Sequence, residues 1–244
     1  MAFPQATLTS AQAAALAGIG TTSWLQMTCA SQNIRKLVIG GTGATYSQTG
    51  TTVTVTWAAH GLTADKNAAQ VYLTQSTGAL LTGWFTNFTY VDANTFTCVS
   101  TVSQSTSGNL GANVTAMTLA THVVPAGGLG PNGTVFYMAS ASHKSSANVK
   151  TLETKYGAYQ SYINTPTSTL VTSWVGGLGN QNSTTSQVNC TTPYGTGLGS
   201  TAVVPAVGTV DSTIAQNVTY VATLASAADW VCLEMAKTTY QYAS

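Results

Sequence analysis

Thr52-Val53-Thr54-Val55-Thr56-Trp57 alternates threonine with an apolar residue without a break. A period of two puts Val53, Val55 and Trp57 on one side of an extended chain and the threonines on the other. β-Branched side chains fit a pleated surface and lose rotamer freedom in a helix. The stretch therefore reads as a half-buried β-strand, and the same signal recurs along the chain. Phe85 to Val91 and Thr95 to Ser100 are two more such runs, and Asp92-Ala93-Asn94 between them is turn chemistry, so the pair reads as a hairpin. Ser103 to Asn113, rich in Ser, Gly and Asn, reads as a boundary. Beyond it strands are expected over Val114 to Val124, Thr134 to Ala139, Val149 to Thr154, Ser168 to Val175, Ser186 to Cys190, Asn217 to Leu224 and Trp230 to Met235. Many short strands separated by Gly- and Pro-rich turns predict a sandwich or jelly roll rather than alternating α/β units.

One helix is expected, near the N-terminus. Thr9 and Gln12 make a T-x-x-Q capping box, Ala11 to Ala17 favour helix, and Gly18 suits the C-terminal cap. At about two turns it is too short to stand alone in water and must dock on something. The fold class is thus all-β: an attachment arm with a short helix over 1–43, a small β-module over 44–115 and a jelly-roll-like β-sandwich over 116–244.

Composition narrows the function. Thirteen of 244 residues are Asp, Glu, Lys or Arg, about 5%, and the net charge is +1; ordinary domains carry roughly a quarter charged residues. Threonine alone accounts for 44 residues, so neutral polar side chains fill the gap. No basic run exceeds Arg35-Lys36, which argues against nucleic acid or an anionic membrane as partner. The longest apolar stretch, Ala13 to Ile19, is far short of the roughly 20 residues of a spanning helix. The N-terminus lacks the basic start of a secretory signal, so synthesis in a cytoplasm is expected.

Chemistry-bearing residues are few and scattered. His60, His122 and His143 accompany no nucleophile elbow, and His143 beside Ser145 and Ser146 reads as an exposed loop residue. The two glutamates, Glu153 and Glu234, show no spacing that pairs them for glycoside cleavage. Gly40-Gly41-Thr42-Gly43 follows the apolar Leu37-Val38-Ile39 but lacks the Lys-Ser/Thr ending of a phosphate loop, so it reads as a linker or tight turn. Cys29, Cys98, Cys190 and Cys232 match no C-x-x-C pattern and read as small buried thiols, with disulfide pairing left open by the spacing. No metal or other cofactor is expected, and no enzyme. Asp65, Lys66, Asp92, Lys144, Lys150, Asp211 and Asp229 all sit beside turns, which assigns them structural work. Trp57, Trp174 and Trp230 fall in strand patterns and read as core. Tyr156, Tyr159, Tyr162 and Tyr194 fall in loop-like segments and are the candidate surface contacts, either with a glycan or with a neighbouring subunit.

Two sets of motifs resemble known proteins. His60-Gly61-Leu62-Thr63, followed by Tyr90-Val91-Asp92-Ala93-Asn94-Thr95-Phe96-Thr97, resembles a small β-module that recurs in bacteriophage virion proteins. Such modules usually continue through a Gly-Asp-x-Val turn, where this chain has Thr63-Ala64-Asp65-Lys66-Asn67. Val124-Pro125-Ala126-Gly127-Gly128-Leu129-Gly130-Pro131-Asn132-Gly133 and Ser145-Ser146-Ala147-Asn148-Val149-Lys150-Thr151 resemble turns of a phage structural β-sandwich. Asn180 to Val188, Asp211 to Thr213 and Ala228 to Glu234 fit its later parts. The resemblance implies a non-enzymatic exterior virion protein made in the bacterial host cytoplasm: a head decoration or fibre, a tail fibre or a tail-associated protein. It also implies a homotrimer bound to capsid, neck or tail proteins. The alternatives are a receptor- or glycan-binding module of a tail fibre or spike and, further off, a polysaccharide depolymerase.

Overall fold

A computed structural model of the chain describes residues 25–32, 34–189 and 207–243. The helix expected over residues 9–18 lies outside them. The described chain is built almost wholly of strands: β1 (Leu25–Gln32), β2 (Lys36–Ile39), β3 (Thr45–Thr56), β4 (Gln70–Leu73), β5 (Gly83–Asp92), β6 (Thr95–Asn109), β7 (Met117–Val124), β8 (Thr134–His143), β9 (Lys150–Tyr156), β10 (Tyr159–Asn164), β11 (Val171–Asn180), β12 (Gln187–Asn189), β13 (Val207–Gly208), β14 (Gln216–Leu224) and β15 (Trp230–Tyr242). The expected all-β sandwich is what forms.

The C-terminal part is a jelly roll, and its connectivity shows how. The chain folds back on itself as one long antiparallel ribbon. The outermost strands pair first, β1 and β2 one after the other along β15; inside them β7 pairs β14, β8 pairs β11, and β9 and β10 close the innermost hairpin. Rolling that ribbon brings β15 against β8 and β14 against β9. The result is two facing sheets, β2-β15-β8-β11 and β7-β14-β9-β10, with β12 and β13 extending the first beyond β11.

This corrects the expected boundaries. Residues 36–39 are not part of an arm: β2 belongs to the roll's first strand, and the β-module is inserted between that strand and β7 rather than preceding the sandwich. The cause lies in the apolar run Leu37-Val38-Ile39. Leu37 and Ile39 enter the module's core with Val53, Val55, Phe88 and Phe96, whereas Val38 enters the sandwich core with Val135, Leu152 and Val231. β15 does the same at Trp230-Val231-Cys232-Leu233, sending Trp230 and Cys232 one way and Val231 and Leu233 the other. A strand covered on both faces needs apolar residues at successive positions, and both runs supply them. β2 also pairs with β4 in parallel, so one sheet runs on from the roll into β4, β5, β6 and β3 of the module.

Two further expectations change. Ser103 to Asn109 is no linker but the second half of β6, paired with residues 45–50 of β3. Gln48, buried there, donates to the Val102 carbonyl at 2.6 Å, and Tyr46 beside it enters the module's core, so a polar stretch of β6 is held in the ladder by its partner strand. β11 runs on through Gly176-Gly177 where the sequence pattern stops at Val175. A Cβ at Gly176 would lie 2.4 Å from the Tyr137 hydroxyl oxygen; the glycine makes room for an aromatic ring on the neighbouring strand.

Candidate functional site

The quoted motifs are turns, and the structure brings them together in pairs. Asp92 accepts the Asn94 N–H at 2.7 Å, tightening the β5–β6 hairpin. Asn94 and Ala93 in turn receive N–H donors from Trp57 (2.7 Å) and His60 (3.3 Å), so the His-Gly-Leu turn is clasped to the Asp-Ala-Asn turn. The His60 ring completes the clasp: its Nδ1 accepts the Leu62 N–H at 2.9 Å. In the sandwich, the Asn180 side chain donates to the Gly130 carbonyl and to Ser212 Oγ, and the Asn182 N–H donates to Asn132 Oδ1 at 2.9 Å. The Pro-Ala-Gly turn is thereby tied to the Asn-Gln-Asn turn.

The third meeting involves charge. Lys150 is fully buried, and its ammonium donates to Ser146 Oγ (2.6 Å), the Asn148 carbonyl (2.9 Å) and the Thr167 carbonyl (3.0 Å). Asp229, equally buried, lies 3.6 Å from that ammonium and accepts the Ser146 hydroxyl at 3.0 Å. Burial lowers the Lys150 pKa from its ordinary value while Asp229 raises it, and burial prevails. The carboxylate of Asp229 therefore serves a buried cation and a hydroxyl.

Nearby charges mark the line where module and roll join. Lys66, on the short 3-10 turn Ala64–Lys66, bridges to Asp65 and, at 2.7 Å, to Glu234 of β15. Ser142 donates to the same Glu234 oxygen. Burial works against the Lys66 charge, but its two carboxylate partners hold its pKa above the ordinary lysine value. Arg35 donates to the Asp65 and Asn67 carbonyls, and Lys36 to the Gln70 side chain. Lys144 reaches the Ala59 and Ala228 carbonyls, and Trp230 Nε1 donates to the His60 carbonyl at 3.0 Å. Six of the thirteen charged residues (Arg35, Lys36, Asp65, Lys66, Lys144 and Glu234) thus lie along this seam, and Lys150 and Asp229 pair within the roll. The segment departing from the usual Gly-Asp-x-Val turn supplies two of them.

The histidines do not meet. His60 belongs to the module clasp, His122 Nδ1 lies 2.8 Å from Thr238 Oγ1, and His143 Nε2 lies 3.0 Å from Thr172 Oγ1. His143 is fully buried, not exposed. It is the last residue of β8, and its side chain is enclosed where β11 begins. Glu153 pairs with Lys155 on β9, whereas Glu234 pairs with Lys66 on the other sheet. Among the described residues, no group of three or more His, Cys, Asp or Glu could hold a metal. Cys98 and Cys232 are free buried thiols; burial pushes Cys98 up to about 12 and Cys232 above its ordinary value. Among the described residues no helix is long and apolar enough to cross a membrane.

Burial also holds all three histidines below the ordinary value of 6.5. On unfolding each regains that value, so below it the unfolded chain binds more protons than the folded one. Their contribution is complete above about 6.5 and declines as pH falls through it toward the folded values. The melting temperature should hold level from pH 8 to 7 and drop between 6.5 and 5. His122→Asn should shallow that drop; an unchanged slope would contradict the assignment.

The tyrosine candidates are corrected by burial. Tyr156 and Tyr162 are core residues, and Tyr162 stacks on Trp174 with 5.4 Å between ring centres. The loop-like segment is in fact the β9–β10 hairpin, turned at Gly157 with φ +55°. Tyr156 and Tyr162 point into the sandwich, where their large rings fill its core. Tyr159 is half-buried and lines an open groove of about 420 Å³ with Val207, Asp211 and Gln216. Tyr194 lies outside the described residues.

A different surface emerges as the contact candidate, the outward face of β8 and β11. Phe136, Met138, Val171 and Val175 stand exposed there, and neither strand carries a charged residue. A signal for it was present in Val135-Phe136-Tyr137-Met138-Ala139, apolar at every position where a one-sided strand would alternate.

Fold and site together define an all-β jelly-roll protein with an inserted β-module, a charged internal seam and a neutral exterior sheet face. Family models, curated proteins and solved structures were compared with the chain, and none matches it.

Proposed function

We propose that the chain is a non-enzymatic structural component of a bacteriophage virion, an exterior fibre, decoration or tail-associated protein that assembles with copies of itself on the particle. The observation that carries this reading is the use made of charge. Six of the thirteen charged residues hold module to roll and two more, Lys150 and Asp229, pair within the roll, and the motifs that resemble virion proteins are the turns that lock to one another. What is left outside is largely Thr, Ser, Gln and small apolar side chains, which lose little on desolvation when another protein covers them. Glycan binding keeps little support once Tyr156 and Tyr162 are in the core.

The test is location. In particles produced by a phage encoding the chain, purified by banding and washed in high salt, the protein should be present in stoichiometric copies. Antibody labelling should decorate the outside of intact particles. Its loss from washed particles, with recovery only in the cell lysate, would overturn the proposal.

A further inference from the structure

We infer that the outward face of β8 and β11 is the surface through which one copy of this chain binds another. The inference deepens the proposed function by naming the contact within the assembly, and it rests on that reading.

The face is laid out by strand register. Met138 lies opposite Val175 on β11 and Lys237 on β15, Ser140 opposite Ser173 and Met235, and Phe136 opposite Gly177 and Thr239. Val175 is 68% exposed, Val171 58%, Phe136 42% and Met138 41%. Isolated exposed apolar residues are ordinary, but a set contiguous across neighbouring strands marks a contact surface.

The same sheet shows what its outer surface looks like when covered. At the seam, Trp230 and Cys232 of β15 face outward from the roll and are buried because the module lies over them. Further along, β8 carries the same two-sided apolar pattern, and among the described residues none covers its outer side at Phe136 and Met138.

Charge identifies the occupant. A surface that meets a copy of itself brings like residues near like residues, so each charge it carries tends to meet its own sign. β8, β11, β12 and β13 have none, and Lys237 is the one cation among the facing positions of β15. Glu234 is already held by Lys66 and Ser142. A strongly charged partner would find nothing here to pair with; a second neutral face is the match. The polar side chains are prepared for covering too. Ser140 and Ser173 hydrogen-bond each other across the strands at 2.9 Å, so excluding water from them leaves fewer unmet bonds.

The test compares the full-length chain with Met138→Glu and Val175→Glu by native mass spectrometry and light scattering over a dilution series. Thr121→Glu, on an exposed position of the other sheet, serves as control. The parent and Thr121→Glu should form the same oligomer. Each face variant should associate on the order of a hundredfold more weakly, as expected when like charges are brought together at a contact, while keeping the parent's circular dichroism spectrum and cooperative melt. If parent and face variants are equally oligomeric, the assembly reading stands and this face is not its contact. If the parent is monomeric throughout, the self-assembly reading and this inference both fall. Should a glutamate variant not fold, Val175→Thr and Met138→Gln provide the same comparison with smaller perturbation.

Discussion

Replacing Trp230 by alanine should lower stability by about 3–5 kcal/mol, the usual range for truncating a buried aromatic. The residue is 6% exposed and belongs to the module's core, although the strand carrying it is the last of the jelly roll. Its indole N–H donates to the His60 carbonyl, so truncation also leaves a buried acceptor in the His-Gly-Leu turn without that partner. Because β2 and β15 feed alternate residues to both cores, the damage should not be confined to one part. Calorimetry of the parent should give one unfolding transition, and Trp230→Ala should shift that transition as a whole, by roughly 6–20 °C for a chain of this size. Ile214→Ala, at a position 58% exposed, should change stability by less than about 0.5 kcal/mol. Two separated transitions in Trp230→Ala, with the roll melting at the parent temperature, would show that the two cores are not welded.

Asp229→Ala should cost a similar amount, about 3–5 kcal/mol, because removing one member of a buried ion pair leaves the other uncompensated. Lys150 would keep Ser146 and two carbonyls as acceptors but lose its counter-charge. Lys150→Met should be comparably harmful, since Asp229 would then retain the Ser146 hydroxyl but no cation. The double variant Lys150→Met with Asp229→Leu should recover much of the loss, as apolar replacements of buried pairs commonly do. Denaturant unfolding of the parent, Lys150→Met, a single Asp229→Leu variant and the double variant closes the cycle. Additive losses in the double variant would mean that the two groups act independently, and a single Asp229→Ala variant within 1 kcal/mol of the parent would refute a coupled pair.

How much of this could be read from the chain depended on whether the signal was local. The alternation at Thr52–Trp57 and the Asp92-Ala93-Asn94 turn specify strand and hairpin within a few residues, and both formed. Leu37-Val38-Ile39 was visibly apolar, yet a three-residue run does not tell which element covers each side. Only the return of β15, almost two hundred residues later in the chain, makes it a strand shared by two cores. Tyr159–Asn164 escaped because Tyr-Gln-Ser-Tyr-Ile-Asn has neither clean alternation nor a β-branched run; Gly157 with its positive φ was the one local cue to the hairpin. The seam was half legible. Asp65, Lys66 and Lys144 could be seen beside turns, but their meeting with Arg35, Lys36 and Glu234, and that of Ser146, Lys150 and Asp229 in the roll, are facts of topology. The apolar run of β8 is legible, but such a run on an outer sheet is indistinguishable in sequence from a strand buried on both sides.

The insertion of the module has a consequence for how such a molecule diversifies. The chain leaves the roll at Gly40 and comes back at Asn113, and the Asn113 N–H donates to the Gly40 carbonyl at 2.8 Å. Departure and return are one hydrogen bond apart, the condition under which a foreign segment can be accepted without stretching its host. Everything between those residues is a cassette: recombination at the two points could exchange it for another fold with closely spaced ends while every strand of the roll after it stays in register. The price is confined to the seam, where a newcomer must cover Trp230 and Cys232 and offer Glu234 a cation. Lineages carrying this roll should therefore differ most between these two positions and least in the pair of apolar runs that flank the joint.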